Sequence, residues 1–264
     1  MSIDKIPLEK IHKTAEGFSY FLKVSSPEGN TLAVLIDHSL APDIPLLKSW
    51  PRGNPGGFNL IGHLSDARES VCPFLIELPT DQGELLQVVE YLIRQCNGQP
   101  MFSVLSSPLM LTQLTAHLIH FTQVILPPDN QTYLLRFGDT RIAPTIADIL
   151  MPEQRRWMFG PITFWCYLDR ESNWTIGTGN GVPEIAGGPL LTLSEAQLDA
   201  FERATLPDSL TAQLLDEFPD FAATSPSARY YTICRWIAQA DKAAGGHASS
   251  GECLTYCKDR LAAA

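Results

Sequence analysis

The chain has 264 residues, 45% of them hydrophobic and 18% charged, which suits one substantial core with a small appended domain and excludes a disordered polymer. Its formal net charge of −10 argues against nucleic acid, which needs a basic stripe, and equally against an anionic membrane surface. No apolar run approaches the roughly 20 residues that span a bilayer, and the polar opening from Met1 to Lys10 does not read as a signal peptide, so a cytoplasmic protein is expected. In a reducing compartment the six scattered cysteines, Cys72, Cys96, Cys166, Cys234, Cys253 and Cys257, read as small core residues.

In chain order, Phe18 to Val24 is expected to be a strand. It would pair across a Ser-Ser-Pro-Glu-Gly-Asn turn with Thr31 to His38, an apolar, β-branched run that ends around Asp37. A Pro/Gly loop covers residues 50–59, and Pro73 to Leu78 is a short strand. Leu85, Leu86, Val89, Leu92, Ile93 and Cys96 follow helical spacing between Gln82 and Asn97, with Gly98 as the stop. Met101 to Leu105 predicts a strand. The helix after it should start with Ser107 as cap and Pro108 at its first position, burying Leu111, Leu114, Leu118 and Phe121. Val124–Leu126 and Tyr133–Phe137 read as strands around a Pro-Pro-Asp-Asn turn. Ile142, Ile146, Ile149 and Leu150 mark one helical face, with Pro144 in the first turn, and Thr163–Asp169 with Trp174–Gly177 reads as a closing hairpin.

Beyond residue 178 the pattern changes. A glycine-rich stretch with Pro183 and Pro189 reads as a linker, residues 179–192, and everything after it reads as helix. Ser194 to Gln197 fits a capping box, Leu210, Leu214, Leu215 and Phe218 share a face, and Ser225-Pro226 opens a longer helix ended by Gly245-Gly246. A last helix is expected from about Ser250. The expected architecture is an α/β N-terminal lobe over residues 1–178, a mixed sheet with flanking helices, followed by a smaller all-α C-terminal lobe over residues 193–264.

Catalytic constellations are scarce. His117 and His120 lie three apart on a helix without a carboxylate at a metal-motif spacing, so structural roles are expected for both. Cys253 and Cys257 fall short of a paired C-x-x-C arrangement and fit an amphipathic last helix. The run Gly177 to Gly181 follows a strand, but no helix N-terminus or lysine completes a phosphate cradle. There is no Gly-x-Ser-x-Gly elbow, and Glu69, Glu77 and Glu90 have no distinctive paired spacing. No catalytic residue, cofactor or metal is expected. The alternative is an enzyme of unrecognised type, for example a hydrolase using His38 or His63, near Asp37 and Asp66 in sequence, in a pocket between the lobes. In the helical lobe Glu195, Asp199, Glu202, Asp208, Asp216, Glu217 and Asp220 meet only Arg203; such a run reads as a solvated face or as a docking surface for a basic partner.

The most informative stretch is Tyr133 to Arg141, Tyr-Leu-Leu-Arg-Phe-Gly-Asp-Thr-Arg, where an apolar strand meets a charged corner and a helix leaves at once. Arg136, Asp139 and Arg141 put both signs of charge in six positions, with no nucleophile, histidine or cysteine among them. That composition suits an ion-paired structural element first and a docking element second.

Several motifs occur together in a fixed order: Leu32 to Asp37, Cys72 to Leu78, the Ser106-Ser107 helix start, Leu135 to Arg141, Phe159-Gly160-Pro161-Ile162 and Trp165. In that order they resemble the type VI secretion adaptor chaperones, the Tap or TEC family of the DUF4123 type, over roughly residues 30–170. The family's corner usually reads Arg-Phe-Tyr-Asp-Pro-Arg; here Gly138 replaces the aromatic and Thr140 the proline, while Arg136, Asp139 and Arg141 remain. The resemblance implies a non-catalytic cytosolic adaptor. It would bind a secreted effector protein and help load it onto the valine-glycine repeat spike protein, VgrG, with Asp37, Arg136, Asp139 and Arg141 as structural or partner-binding positions.

Overall fold

A computed structural model describes residues 15–40, 50–51, 56–64, 72–96, 99–170 and 173–263. Residues 1–14, Gly98, Asp66, Glu69 and positions 52–55 of the early Pro/Gly loop lie outside these residues. Contacts divide the chain into two compact units, Met1–Leu198 and Asp199–Ala264.

The first unit opens with helix α1 (Ala15–Ser25), then strand β1 (Thr31–Asp37), a 3-10 turn His38–Leu40, β2 (Phe58–Asn59) and β3 (Pro73–Glu77). Helix α2 (Gln82–Cys96) leads to β4 (Phe102–Ser107), α3 (Leu111–His120), β5 (Gln123–Leu126) and β6 (Gln131–Leu134). After these come α4 (Ala143–Ile149), α5 (Pro152–Phe159), β7 (Phe164–Leu168), β8 (Trp174–Thr178) and β9 (Leu191–Thr192). Six strands form one sheet in the order β2-β3-β1-β4-β7-β8, every neighbouring pair antiparallel. A second sheet, β6-β5-β9, combines an antiparallel and a parallel pair.

β1 sits inside the six-stranded sheet and is buried on both faces, which is why its sequence is a continuous apolar run rather than an alternating one. Leu32, Val34 and Ile36 point into the main core with Phe74, Ile76, Phe102, Val104, Cys166 and Ile176, covered by residues of α1 and α2. The residues between them, Ala33, Leu35 and Asp37, fall on the opposite face by strand alternation. On that face Trp165 meets the edges of Phe137 and Phe159 at 6.2 and 5.7 Å.

Residues 18–24 are not a strand. They lie in α1, where Phe18 and Leu22, four apart, are fully buried while Tyr20 and Val24 are exposed by 63% and 60%. The alternation Phe18-Tyr20-Leu22-Val24 imitates a strand period, but burial follows the helical one, with Phe18 stacked on Trp174 at 3.4 Å. The helix expected at Ser107-Pro108 starts later, at Leu111. Ser107 is still strand, because its hydroxyl donates to the Pro161 carbonyl at 2.8 Å and accepts the Leu109 N–H, which binds β4 to the chain before β7. The actual cap is Met110, whose N–H reaches Gln113 Oε1.

The second unit is helical. Helix α6 (Glu195–Glu217) runs into it and is followed by a 3-10 turn Pro219–Ala223, α7 (Pro226–Ala244) and α8 (Ser250–Ala262). The Ser194–Gln197 capping box forms as its sequence indicates, with Ser194 N–H to Gln197 Oε1 at 3.0 Å and Gln197 N–H to Ser194 Oγ at 3.3 Å. Ser225 caps α7, and Gly245 ends it in the left-handed conformation at φ 73°. Leu210, Leu214, Phe221, Ile233, Ile237, Cys253 and Cys257 make a separate small core. Arg203 of α6 pairs with Asp241 of α7, whose other oxygen accepts the Ala248 N–H at 2.9 Å ahead of α8.

Candidate functional site

The corner after β6 folds onto the end of β1. Asp37 is the last residue of β1 and is buried, and its N–H is held by the Met101 carbonyl at 2.7 Å. Its Oδ1 accepts the Ser39 hydroxyl at 2.6 Å and the Ser39 N–H at 3.2 Å. Its Oδ2 accepts both Nε and Nη2 of Arg136, at 3.2 and 3.0 Å. Arg136 Nη2 also donates to Ser39 Oγ, so the three side chains form a closed triangle. A charge taken out of water is tolerated when its lone pairs are filled in this way.

The second pair is local. Asp139 is fully buried, and its carboxylate takes the Arg141 N–H and Nε on Oδ1 at 3.0 Å each and Nη2 on Oδ2 at 2.6 Å. The Asp139 carbonyl meanwhile accepts the Ile142 and Ala143 N–H groups, two of the donors that the start of α4 would otherwise leave unpaired. The neighbouring Thr140 N–H goes to the Pro100 carbonyl at 3.0 Å and its hydroxyl to Leu168 at 3.3 Å. Arg136, Asp139 and Arg141 are thus two separate ion pairs, and Asp37 belongs to the first of them. Ser39 is the partner that sequence reading missed. Its only signal was Asp37-His38-Ser39, an Asx-type turn at a strand end.

Gly138 lies between the pairs. A Cβ there would stand 3.2 Å from Asp37 Cβ, tighter than ordinary contact, so the missing side chain lets the corner close on β1. A cavity of about 20 Å³ lies beside the Arg136–Asp37 pair, lined also by Ile61, Pro73, Thr122 and Leu134.

A larger groove of about 500 Å³ lies between α5 and the chain after β8, with Trp157, Pro161, Val182 and Ile185 among its walls. That chain is tied to the first unit. Gly179 N–H donates to Thr163, Val182 N–H to the Gly160 carbonyl, and a Cβ on Gly179 would strike the Ile162 carbonyl at 2.0 Å. His117, buried on α3, holds it from beneath: Nε2 donates to the Met158 carbonyl at 2.8 Å, which leaves Nδ1 to accept the Ala186 N–H at 2.9 Å. Burial lowers the pKa of His117, and the neighbouring His120 lowers it further. His120 Nε2 donates to the Pro189 carbonyl. Both rings are therefore committed to main-chain partners.

His63 is exposed in the turn after β2, and His38 rests edge-on to Phe74 at 6.5 Å, while the Asp37 carboxylate is directed to Ser39 and Arg136. Among the described residues, no cluster of three or more His, Cys, Asp or Glu side chains is placed to hold a metal. Cys253 and Cys257 lie in the helical core, where burial pushes the Cys257 thiol up to about 11. No helix among the described residues is long and apolar enough to cross a membrane.

Residues 32–157 match the family model described as Domain of unknown function DUF4123, a stretch that starts in β1, ends in α5 and contains both ion pairs. This domain is the one typical of type VI secretion effector adaptors, and the family is associated with a non-catalytic role. No curated protein and no solved structure matches the chain.

Proposed function

We propose that this chain, whose residues 32–157 are a DUF4123 domain, is a cytoplasmic adaptor that binds a type VI secretion effector and helps load it onto the VgrG spike without catalysing a reaction. The observation that carries the reading is the span of the family match, which covers the sheet centre and the Arg136–Asp37 corner together. Asp37, Arg136, Asp139 and Arg141 serve in this reading to fix the corner, so that the adjoining β5–β6 hairpin is presented in one geometry. The net charge of −10 supports a partner with a basic face, since such charge speeds encounter and disfavours wrong partners.

The test is a tagged pull-down from a type VI-competent bacterium expressing the chain, read by mass spectrometry. The adaptor reading expects a toxin-like chain together with a spike protein. Recovery of neither, from cells shown to make both, would contradict it.

A further inference from the structure

β6 forms one margin of the three-stranded sheet, and among the described residues no strand pairs with its outer side. The hydrogen-bond phase identifies which groups face outward. Leu135 N–H donates to the Thr122 carbonyl at 2.8 Å, and the register pairs Tyr133 with Val124. Main-chain groups alternate between the two sides of a strand, so Leu135 and Tyr133 turn toward β5 while Thr132 and Leu134 turn their N–H and C=O to the open side. All four residues of β6 are exposed, with Tyr133 and Leu134 on opposite faces and 47% and 45% exposed.

Natural sheet margins are normally blunted by lysine, proline or a bulge. β6 reads Gln-Thr-Tyr-Leu: it carries no charge, no proline and two large exposed apolar side chains. We infer that this margin is a strand-addition site, at which an extended, basic segment of a partner protein pairs with Thr132 and Leu134. The inference rests on the adaptor reading for the identity of the partner, not for the site.

Three features select this occupant. Two outward-facing donor–acceptor sets two residues apart match an extended main chain. Tyr133 and Leu134, on the two faces, favour apolar side chains at successive positions of the incoming strand. Charge favours a basic occupant: the chain's net charge is −10, so a second copy would bring another −10, and at the hairpin turn the exposed Asp129 is available to meet a basic side chain. Its oxygens already accept Gln131 N–H and Tyr133 Oη–H, and a carboxylate has capacity beyond two bonds. At its far end β6 runs into the corner that Arg136 and Asp37 hold, so the margin is anchored.

Thr132→Pro tests this directly, because it removes an outward N–H without removing a bond to β5. The probes are a displayed library of random short peptides and, where the pull-down recovers one, the purified effector. Peptides selected on the wild-type chain are expected to be extended and basic, to slow amide exchange at Thr132 and Leu134, and to bind Thr132→Pro about tenfold more weakly or worse at unchanged melting temperature. An effector that binds Thr132→Pro as well as wild type would overturn the site and leave the adaptor reading standing. Failure to recover any effector would sink the adaptor reading, and the selected peptides would then decide the site. A library that enriches nothing, or only peptides indifferent to Thr132→Pro, overturns it, as does enrichment of acidic sequences. Should Thr132→Pro lower the melting temperature, Leu134→Lys, which puts a charge on the exposed margin, replaces it with the same expected loss.

Discussion

Arg136 grips the carboxylate of Asp37 at 3.0 Å across 99 positions of sequence, joining the corner after β6 to the end of β1. Asp37 is buried while Arg136 is partly exposed, so the pair is unequal. Removing the arginine strands a carboxylate with only Ser39 to satisfy it. Arg136→Ala is expected to cost about 2 kcal/mol by chemical denaturation. A double-mutant cycle with Asp37→Ala should give a coupling of about 1–3 kcal/mol. Additive single-mutant effects would mean that the contact does not hold the corner.

Asp139→Ala removes the acceptor for the Arg141 main chain and side chain from a fully buried position. The expected loss is about 2–3 kcal/mol, seen as a lower melting temperature. Partner capture at a temperature where the variant remains folded is expected to survive. Unchanged stability with abolished capture would make this pair an interface.

The His117 bridge makes stability fall on acidification. Its pKa in the folded chain is lowered from the ordinary 6.5, so below that value the unfolded chain binds more protons than the folded one. Stability is then fully present above about pH 6.5 and is lost as pH falls through the window beneath it. Protonation would set a second N–H against Ala186 N–H. Melting temperatures at about pH 7.5 and about pH 5.5 should differ more for wild type than for His117→Phe. An equal difference in both would contradict the bridge.

Phe18 separates two readings of one sequence. As a helix residue that is fully buried and stacked on Trp174, it should cost about 3–5 kcal/mol when cut to alanine. Tyr20→Ala, at an exposed position, should cost almost nothing. In a strand pairing with β1, with residues 18, 20, 22 and 24 on one face, the two substitutions would weigh alike.

These positions also show what could be read in advance. β1, β3 and α2 were legible because burial on both faces or along one helical stripe leaves a strong apolar pattern. The β5–β6 hairpin was legible from Pro127-Pro128-Asp129-Asn130 between apolar runs, although β6 begins at Gln131, earlier than its apolar residues suggest. The segment at 18–24 fits both periods, because apolar side chains stand at 18, 20, 22 and 24 while Phe18, Phe21 and Leu22 mark a helical stripe, and only the packing partner, α2 or a neighbouring strand, decides. Ser107 failed as a cap because a serine before proline suits a strand end equally well when a distant carbonyl, here Pro161, takes its hydroxyl. Helix α5 went unread, yet Met151-Pro152-Glu153-Gln154 carried its start, with proline in the first turn and Gln154 reaching back to Met151 N–H. At the site, the three charged residues of the corner were visible as chemistry. Their division into two pairs was not, because Arg136 finds its carboxylate on a strand far back in sequence, and no local spacing encodes that contact.

If the chain is an effector adaptor, its effector leaves the cell only with its help. Effector secretion in a type VI-competent strain with the gene deleted tests it most directly, with secreted tube protein as the control for a working apparatus. The effector is expected to disappear from the medium while the tube protein remains, and to return when the chain is restored. Undiminished effector secretion without the chain would contradict it.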